Sequence, residues 1–435
     1  QIFHARLKIR ANRRARRLEP WTAATAGVSV LLPSVLSSSP AMAPSVAAAC
    51  RLYATFAPSS VSSLKVSWRK DPRLDGAIAR DKRWRLCSRV VREVLNEPGA
   101  AIPLRYLEKR RERLRLPVGV KVFLARNPLL FDVFHDRIKP KTEHVPFLWP
   151  STRLTEFLKE EHLIRSANEG LLLAKLCKLL MMSKDRVLSA EKLLHVKRDF
   201  GFPSDFLVSL VPRYPEYLQL VGGHGEGDSF LKLVSWDDGF AQSVIQRRAE
   251  EETRQTGVRM RPNFEVRLPR GFYLKKEMRE WTRDWLELPY ISPYDDASGL
   301  HPASPEMEKR MVGLLHEFLS LTVLRRAAVP SVGKFAEEFR LSNAFGNAFT
   351  RHPGIFYLSL KGGIKTAMLR AAYDAEGELV DRDPLLEIKE KFVELLEEGH
   401  QEWLLQMRLR REAAQKDREL LAGGESNAGD NVESS

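Results

Sequence analysis

The stretch Arg126-Asn127-Pro128-Leu129-Leu130-Phe131 has two further versions along this 435-residue chain. They are Arg213-Tyr214-Pro215-Glu216-Tyr217 and Arg351-His352-Pro353-Gly354-Ile355-Phe356-Tyr357. Each version consists of Arg, any residue, Pro and then an aromatic residue a short distance further on. We call it the Arg-x-Pro element, and because its surroundings also recur, it predicts an internal repeat.

Two short helices are predicted before each Arg-x-Pro element, because apolar residues recur there with helical spacing. Breaker residues separate the two helices at Leu116-Pro117, at Gly201-Phe202-Pro203 and at Leu341-Ser342-Asn343. The proline of the element should end the second helix, since it has no N–H and disfavours a helical residue before it.

Strand pairs around Gly-rich turns are predicted after the second and third elements, at residues 217–221 with 230–234 and at 356–360 with 366–369. The first copy is expected to fit less well, because residues 135–144 form a long polar connection. The predicted fold is therefore predominantly α with short β-hairpins. It consists of three winged-helix-like (helix-turn-helix plus hairpin) modules joined by helical linkers.

The net charge of +14 is concentrated near the start of the chain. Residues 1–70 carry +10, residues 71–140 carry +8 and the remainder carries −4. Residues 1–68 are rich in Arg, Ala, Ser and Pro, which predicts an organellar transit peptide and an untranslated extension if translation starts at Met42. Because residues 51–55 resemble a plant mitochondrial cleavage pattern, we expect the mitochondrial matrix, with the chloroplast stroma as the alternative.

Three further divisions are predicted after the transit peptide. Residues 69–250 should hold two modules, residues 251–400 the third, and residues 401–435 a charged helix end and a disordered tail. No apolar run approaches the roughly 18 residues of a membrane span, so no membrane partner is expected.

A basic face for RNA phosphates is the candidate functional site. Cations at helical spacing on single-signed faces are what a phosphate backbone selects, although a solvated surface remains the alternative. The candidate RNA-binding residues are Lys82, Arg85, Arg89, Arg92, Arg105, Lys109, Arg110, Arg111, Arg113, Arg115, Arg126, Arg213 and Arg351. The last three belong to the Arg-x-Pro elements, where an Arg can bond the carbonyls at a helix end as well as contact phosphate.

The sequence contains no recognisable catalytic motif. The ten His are scattered, and neither a metal-binding His pair, a P-loop nor a nucleophile elbow is present. The three Cys have no paired spacing, which excludes a disulfide scaffold and a Cys-based zinc site. We therefore expect no catalysis, no cofactor and no metal.

With these residues assembled, the chain resembles the plant organelle RNA recognition (PORR) domain family from about residue 69 to about residue 400. The matching stretches include Asp199-Phe200-Gly201-Phe202-Pro203-Ser204-Asp205-Phe206 and His352-Pro353-Gly354-Ile355-Phe356-Tyr357, together with residues 69–75, 178–185, 212–215, 233–237 and 288–294. The resemblance implies non-catalytic RNA binding in mitochondria or chloroplasts, chiefly to assist group II intron splicing. It supplies no binding residues, so the basic face is inferred from the sequence itself.

The leading hypothesis is a mitochondrial protein that binds organellar intron RNA, together with other splicing factors, and promotes group II intron splicing. One alternative is a nucleic-acid-binding regulator of organellar transcription. The other is a scaffold that recruits splicing factors.

Overall fold

The computed structural model describes residues 69–138, 143–222, 229–269 and 272–428. The predicted transit peptide and the end of the predicted disordered tail lie outside them. The described chain is mostly helical and contains three small antiparallel sheets, which confirms a predominantly α fold with short β-hairpins. Within these ranges, no helix combines the length and the apolar character needed to cross a membrane.

The first repeat begins with a long helix whose start is fixed by its sequence. Asp71 accepts a hydrogen bond from the Arg73 backbone N–H, and Pro72 occupies the first turn, where a missing N–H costs nothing. The elements of this repeat are α1 (Pro72–Leu95), β1 (Ile102–Pro103), α2 (Leu104–Lys109), α3 (Val120–Ala125), β2 (Phe131–Arg137) and β3 (His144–Pro150).

The second repeat has the same order of elements and follows the connecting helix α4 (Thr152–Ala167). It comprises α5 (Glu169–Met181), β4 (Val187–Ser189), α6 (Ala190–Phe200), α7 (Phe206–Ser209), β5 (Leu218–Gly222) and β6 (Ser229–Leu233). In every repeat the last strand lies between the other two, giving the orders β1-β3-β2 and β4-β6-β5 here.

The third repeat comes after an insertion that holds α8 (Val244–Thr256) and α9 (Lys276–Glu287). It consists of α10 (Pro305–Leu321), β7 (Arg326–Ala328), α11 (Val329–Gly333), α12 (Ala348–Arg351), β8 (Phe356–Ser359) and β9 (Thr366–Leu369). The long helix α13 (Leu386–Ala428) follows it.

A shared turn follows the helix after the first strand of each repeat, directly at the helix end in the second repeat and several residues later in the first and third. At Arg115, Gly201 and Arg340 the backbone is left-handed, with φ of 52°, 85° and 51°. The next residue then donates its N–H to a carbonyl five residues earlier, as in a Schellman motif: Leu116 to Arg111 at 3.1 Å, Phe202 to Lys197 at 2.8 Å and Leu341 to Ala336 at 2.8 Å. Only Gly suits the second copy, because a Cβ at Gly201 would lie 2.7 Å from Leu385 Cδ1.

The buried core has two main parts. One belongs to the first repeat, where Val90, Phe123 and Leu148 pack together with Phe392 from α13. The other is shared by the second and third repeats and extends from Leu172 to Leu386. The second and third repeats are thus joined by a continuous apolar interior.

The start of α1 also packs on the third repeat. Leu74, Ala77 and Ile78 form a small core cluster with Tyr357 and Met368. Two buried charge networks accompany this contact. Asp71 pairs with Arg370 at 2.8 Å, and Asp81 pairs with Arg326 and, at 2.7 Å, with Lys389.

Several local predictions were wrong. Residues 135–144 are not only a connection, because strands β2 and β3 extend into them. These strands form the longest hairpin of the described chain, with residues paired from Phe131↔Pro150 to Arg137↔His144. A short strand precedes the first of the two predicted helices in each repeat, because it completes a sheet with residues far along the chain. Helix α13 continues to Ala428 and so includes most of residues 401–435, which were predicted to hold a charged helix end and a disordered tail.

Candidate nucleic-acid interface

The predicted basic face of α1 lies where the sequence placed it. Lys82 and Arg85 are exposed, and Arg89 and Arg92 are half-buried. The opposite face, including Cys87, packs into the core of the first repeat. Burial raises the pKa of the Cys87 thiol to about 12, which keeps it protonated and unreactive near neutral pH.

Four arginines come together between the first and second repeats. They are Arg85 and Arg89 from α1, Arg115 from the turn before α3, and Arg198 from α6; we call them the arginine cluster. Desolvation lowers the pKa of Arg89, and the charges of Arg115 and Arg85 lower it further. Burial and the charge of Arg89 likewise lower the pKa of Arg198. These guanidinium groups are therefore close enough to repel one another.

Two side chains of the arginine cluster are exposed and yet partly desolvated. Arg85 and Arg198 are accessible to solvent, yet desolvation by neighbouring residues lowers the pKa of both side chains. Both observations fit side chains that reach solvent between the first and second repeats. In the described part of the chain, none of the four arginines forms a hydrogen bond or an ion pair with a carboxylate.

Asp199 is the acidic group beside this cluster. Burial raises the pKa of its carboxyl to about 6, while the charges of Arg85 and Arg198 act in the opposite direction. Its backbone carbonyl accepts a hydrogen bond from Val323 N–H at 2.8 Å, which fixes the end of α6 against the third repeat. One partly protonated carboxyl leaves most of the charge of four arginines uncompensated.

Three predicted cations of the basic run at residues 109–115 have a different environment from the arginine cluster. Arg110 Nη1 lies 2.7 Å from Glu93 Oε1 and also pairs with Glu97, and Arg113 pairs with the same Glu93. Arg111 Nη1 lies 3.9 Å from Glu108 Oε1. Each of these three cations thus has an acidic partner within the first repeat.

Two further predicted cations, Arg105 and Lys109, lie on α2 and have no carboxylate partner among the described residues. The guanidinium of Arg105 lies 5.1 Å from the centre of the Tyr106 ring, and Lys109 Nζ lies 5.8 Å from it. The helix ends at Lys109. The spacing of Arg105, Lys109 and Arg113 predicts one face of a single helix. That prediction is wrong for Arg113, which belongs to the following turn.

The three Arg-x-Pro arginines lie at helix ends, as predicted. Arg213 donates from Nε to the Ser209 carbonyl at 2.7 Å and pairs with Glu169 at 2.6 Å. Arg351 pairs with Glu308 at 2.8 Å. Both acids lie near the start of the first helix of their own repeat, so these two arginines stabilise the repeat.

Arg126 differs from its two counterparts. The strand pairing makes Ile102, Leu188 and Ala327 equivalent. The residue 19 positions before each of them is Glu169 in the second repeat, Glu308 in the third and Arg83 in the first. Arg83 instead donates to Asn127 Oδ1 at 3.2 Å and to the Leu396 carbonyl at 2.8 Å. Arg126 is exposed and has no carboxylate partner within the described ranges.

Arg198 is a member of the cluster that was not among the predicted residues. It lies in the last turn of α6, and no local pattern sets it apart from the neighbouring surface cations. Only the packing of the second repeat beside α1 brings it to Arg89. A search for cations in the same helix end of each repeat would have found it as a candidate.

His352 occupies the middle position of the third Arg-x-Pro element and is buried. Its ring centre lies 4.4 Å from that of Trp285 and 5.5 Å from that of Trp281. Burial lowers the pKa of His352, so the ring is mainly neutral, with Nε2 3.5 Å from Glu308. Among the described residues, no group of three or more His, Cys, Asp or Glu side chains is arranged to hold a metal ion.

Comparison with known proteins places these features in a family. Residues 69–401 match the family model of the plant organelle RNA recognition domain. The chain is 35% identical over 348 residues to Protein WHAT'S THIS FACTOR 1 homolog, chloroplastic, of Oryza sativa subsp. japonica, with 76% of this chain and 65% of the rice protein covered.

A mitochondrial relative is also similar. Protein WHAT'S THIS FACTOR 9, mitochondrial, of Arabidopsis thaliana is 29% identical over 345 residues, which cover 76% of this chain and 84% of that protein. No solved structure matches the chain significantly. Because the family model covers most of the chain, the protein belongs to the plant organelle RNA recognition domain family.

Proposed function

We propose that this protein binds organellar intron RNA without catalysing a reaction, and that it promotes group II intron splicing. The observation that carries the proposal is the arginine cluster, in which four guanidinium groups from two repeats converge without an ion-paired carboxylate in the described chain. A phosphate backbone supplies the missing negative charge. Lys82, Arg92 and Arg126 extend the positive surface along the first repeat.

Binding of this kind depends on phosphate neutralisation and counterion release. The cluster combines side chains from two repeats, so it favours a particular path of the RNA backbone. It does not distinguish one base sequence from another, because phosphate contacts carry no sequence information. An RNA held along this path is biased toward the fold that splices, while the RNA itself carries out the chemistry.

The family and the names of its relatives support an organellar site of action. Two of these names carry the words chloroplastic and mitochondrial. We propose the mitochondrial matrix because of the composition of residues 1–68, with the chloroplast stroma as the alternative. Partner splicing factors belong to the same proposal.

We further propose that each repeat is a winged-helix-like module. Its order of helix, strand, two helices and hairpin, with the first strand paired to the last, is that of a winged helix. The hairpins then correspond to the wings. Such modules also bind duplex DNA, which keeps transcriptional regulation as the competing function.

Two sets of four substitutions test the proposal. The first changes Arg85, Arg89, Arg115 and Arg198 to Gln, and the control set changes the ion-paired Arg110, Arg111, Arg113 and Arg213 to Gln. The first set should reduce the affinity for a group II intron transcript about 100-fold or more at about 0.1 M salt. It should also make the negative slope of log K against log salt shallower by roughly 3, because fewer phosphates are contacted.

The control set should change the slope by less than about 1 because its cations are already neutralised. Thermal unfolding curves verify that both variants fold. Equal losses in the two sets would show that the cluster has no special role. Tighter binding of duplex DNA than of intron RNA by the unmodified protein would favour the transcriptional alternative.

A further inference from the structure

An aromatic surface lies on the hairpin of the first repeat. Phe134 pairs with Phe147 across the two strands, and Trp149 lies one pair further along the same face, opposite Asp132. The ring centres of Phe134 and Phe147 are 5.4 Å apart in a stacked arrangement, and those of Phe134 and Trp149 are 5.7 Å apart, edge to face. We call these three rings the aromatic platform.

The aromatic platform is separate from the hydrophobic core. Trp149 is 50% exposed. Phe134 and Phe147 are half-buried, yet neither packs against a core cluster of the described chain. The buried residues of this hairpin, Phe131 and Leu148, lie on its other face. The three rings therefore shield mainly one another.

The corresponding sheet face of the third repeat is buried against another part of the protein and so stabilises the fold. The strand register places Tyr357 and Met368 at the positions of Asp132 and Trp149. Those two side chains are buried under Leu74, Ala77 and Ile78 of α1. Ser359, at the position of Phe134, donates to Asp75 Oδ1 at 2.6 Å. No described segment covers the same face in the first repeat in this way.

Resting on the RNA-binding function proposed above, we propose that the aromatic platform stacks unpaired bases of single-stranded RNA. Every base has a flat face that an aromatic ring can cover, so such a surface binds bases with little sequence preference. The platform belongs to the most basic part of the described chain, and Arg126, just before the hairpin, is available for phosphate. Asp132 and Asp136 on the same face can accept hydrogen bonds from exocyclic amino groups.

The same rings would also suit an apolar protein segment. Two features favour bases. All the large apolar side chains on this face except Val145 are aromatic, and the cations of the first repeat would repel a basic partner while attracting a phosphate backbone. The protein therefore combines a phosphate-binding arginine cluster with a base-stacking surface, which selects an RNA that contains an unpaired segment next to its structured part.

The test compares two ligands that differ only in their bases. One is an oligouridine of about 20 nucleotides, longer than a typical single-strand site, and the other is an oligonucleotide of the same length with abasic residues. The variant changes Phe134, Phe147 and Trp149 together to Leu. The control is Phe230→Leu in the second repeat, because Phe230 occupies the position of Phe147 in its hairpin and is 36% exposed. Fluorescence anisotropy of the full chain gives the affinities.

The unmodified protein and the Phe230→Leu control should bind oligouridine about tenfold or more tighter than the abasic ligand. The triple variant should bind both ligands with the affinity that the unmodified protein has for the abasic one. The single variant Trp149→Leu, which alters a half-exposed side chain, should show an intermediate loss of about threefold to tenfold even if the triple variant does not fold.

Two results would overturn the inference. If the triple variant binds oligouridine as tightly as the unmodified protein, the platform does not stack bases and is available for a protein partner; the arginine variants would still lose affinity. If the unmodified protein binds neither ligand nor the intron transcript, the proposed RNA binding itself fails, and the stacking role fails with it.

Discussion

The hairpins of the first and third repeats have the same strand order but opposite surroundings. The third hairpin is buried along both strands under the start of α1, and its Arg-x-Pro arginine pairs with Glu308. The first hairpin extends into solvent beyond Val133, carries the aromatic platform, and follows an arginine without a described acidic partner. One repeat thus uses its sheet face to stabilise the protein, and the other leaves the same face available for a ligand.

This difference comes from a single feature of the chain. Helix α1 is longer than the corresponding helices α5 and α10, and its extra N-terminal turns pack on the third repeat. The third hairpin therefore acquires a cover from the first repeat. An analogous extension would be needed to cover the first hairpin.

The largest expected effect is on stability. Tyr357→Ala removes a buried ring and the hydroxyl that donates to Asp75 Oδ1 at 2.9 Å. It should lower the free energy of unfolding by about 3–5 kcal/mol, whereas Phe134→Ala in the exposed platform should lower it by less than about 1 kcal/mol. Urea unfolding measures both. Similar losses for the two substitutions would show that the first hairpin also stabilises the fold.

An intermediate effect is expected from the Arg-x-Pro arginines. Arg126→Gln should lower the affinity for intron RNA by roughly threefold to tenfold and reduce the salt slope by about 0.7–0.9, because one phosphate contact is lost. Arg351→Gln is the matched control, and since Arg351 is already paired with Glu308, it should change RNA affinity by less than about twofold. Filter binding at several salt concentrations measures both slopes. A larger loss of RNA affinity for Arg351→Gln than for Arg126→Gln would show that Arg351, and not Arg126, contacts the RNA.

The smallest expected effect depends on pH. The pKa of Asp199 is raised by burial to about 6, so its carboxyl takes up a proton as the pH falls from 7 to 5. Protonation removes a negative charge beside the arginine cluster, and RNA affinity should rise by about threefold. The Asp199→Asn variant should bind RNA at pH 7 with the affinity that the unmodified protein has at pH 5. Its affinity should not show the threefold rise between pH 7 and pH 5. Anisotropy titrations at both pH values, at constant ionic strength, provide the measurement.

The same carboxyl has a defined effect on stability. Its pKa in the folded protein lies above the value of 3.8 expected when it is solvated, so the folded state binds more protons between about pH 4 and pH 6. The contribution of Asp199 to the free energy of unfolding should therefore increase as the pH falls through this range. Asp199→Asn should remove that increase, and an unchanged pH profile in the variant would contradict the raised pKa of Asp199.

Much of the local structure was predictable from short stretches. Apolar periodicity and breakers indicated the helices of each repeat, and the proline of each Arg-x-Pro element marked the end of a helix. The basic face of α1 was equally predictable, because the side of a helix on which a residue lies depends only on its position along the helix. The family was also recognisable from the sequence, because several of the matching stretches are unbroken runs of six or more residues.

Contacts between distant segments were not predictable in this way. The sequence could not show that Arg110 and Arg113 would meet Glu93, or that Arg198 would join Arg89, because neither pairing follows from helical spacing. It also missed the short strands β1, β4 and β7, which are strands only because the last strand of each repeat binds them.

The sequence by itself determined the three repeats, their helices and the positive charge of the first one. Tertiary structure alone decided which cations are neutralised, which hairpin is covered and where four arginines converge. The physical reason is that a helix or a turn is stabilised by neighbours in sequence. Charge compensation and burial depend instead on which distant segments come into contact when the chain folds.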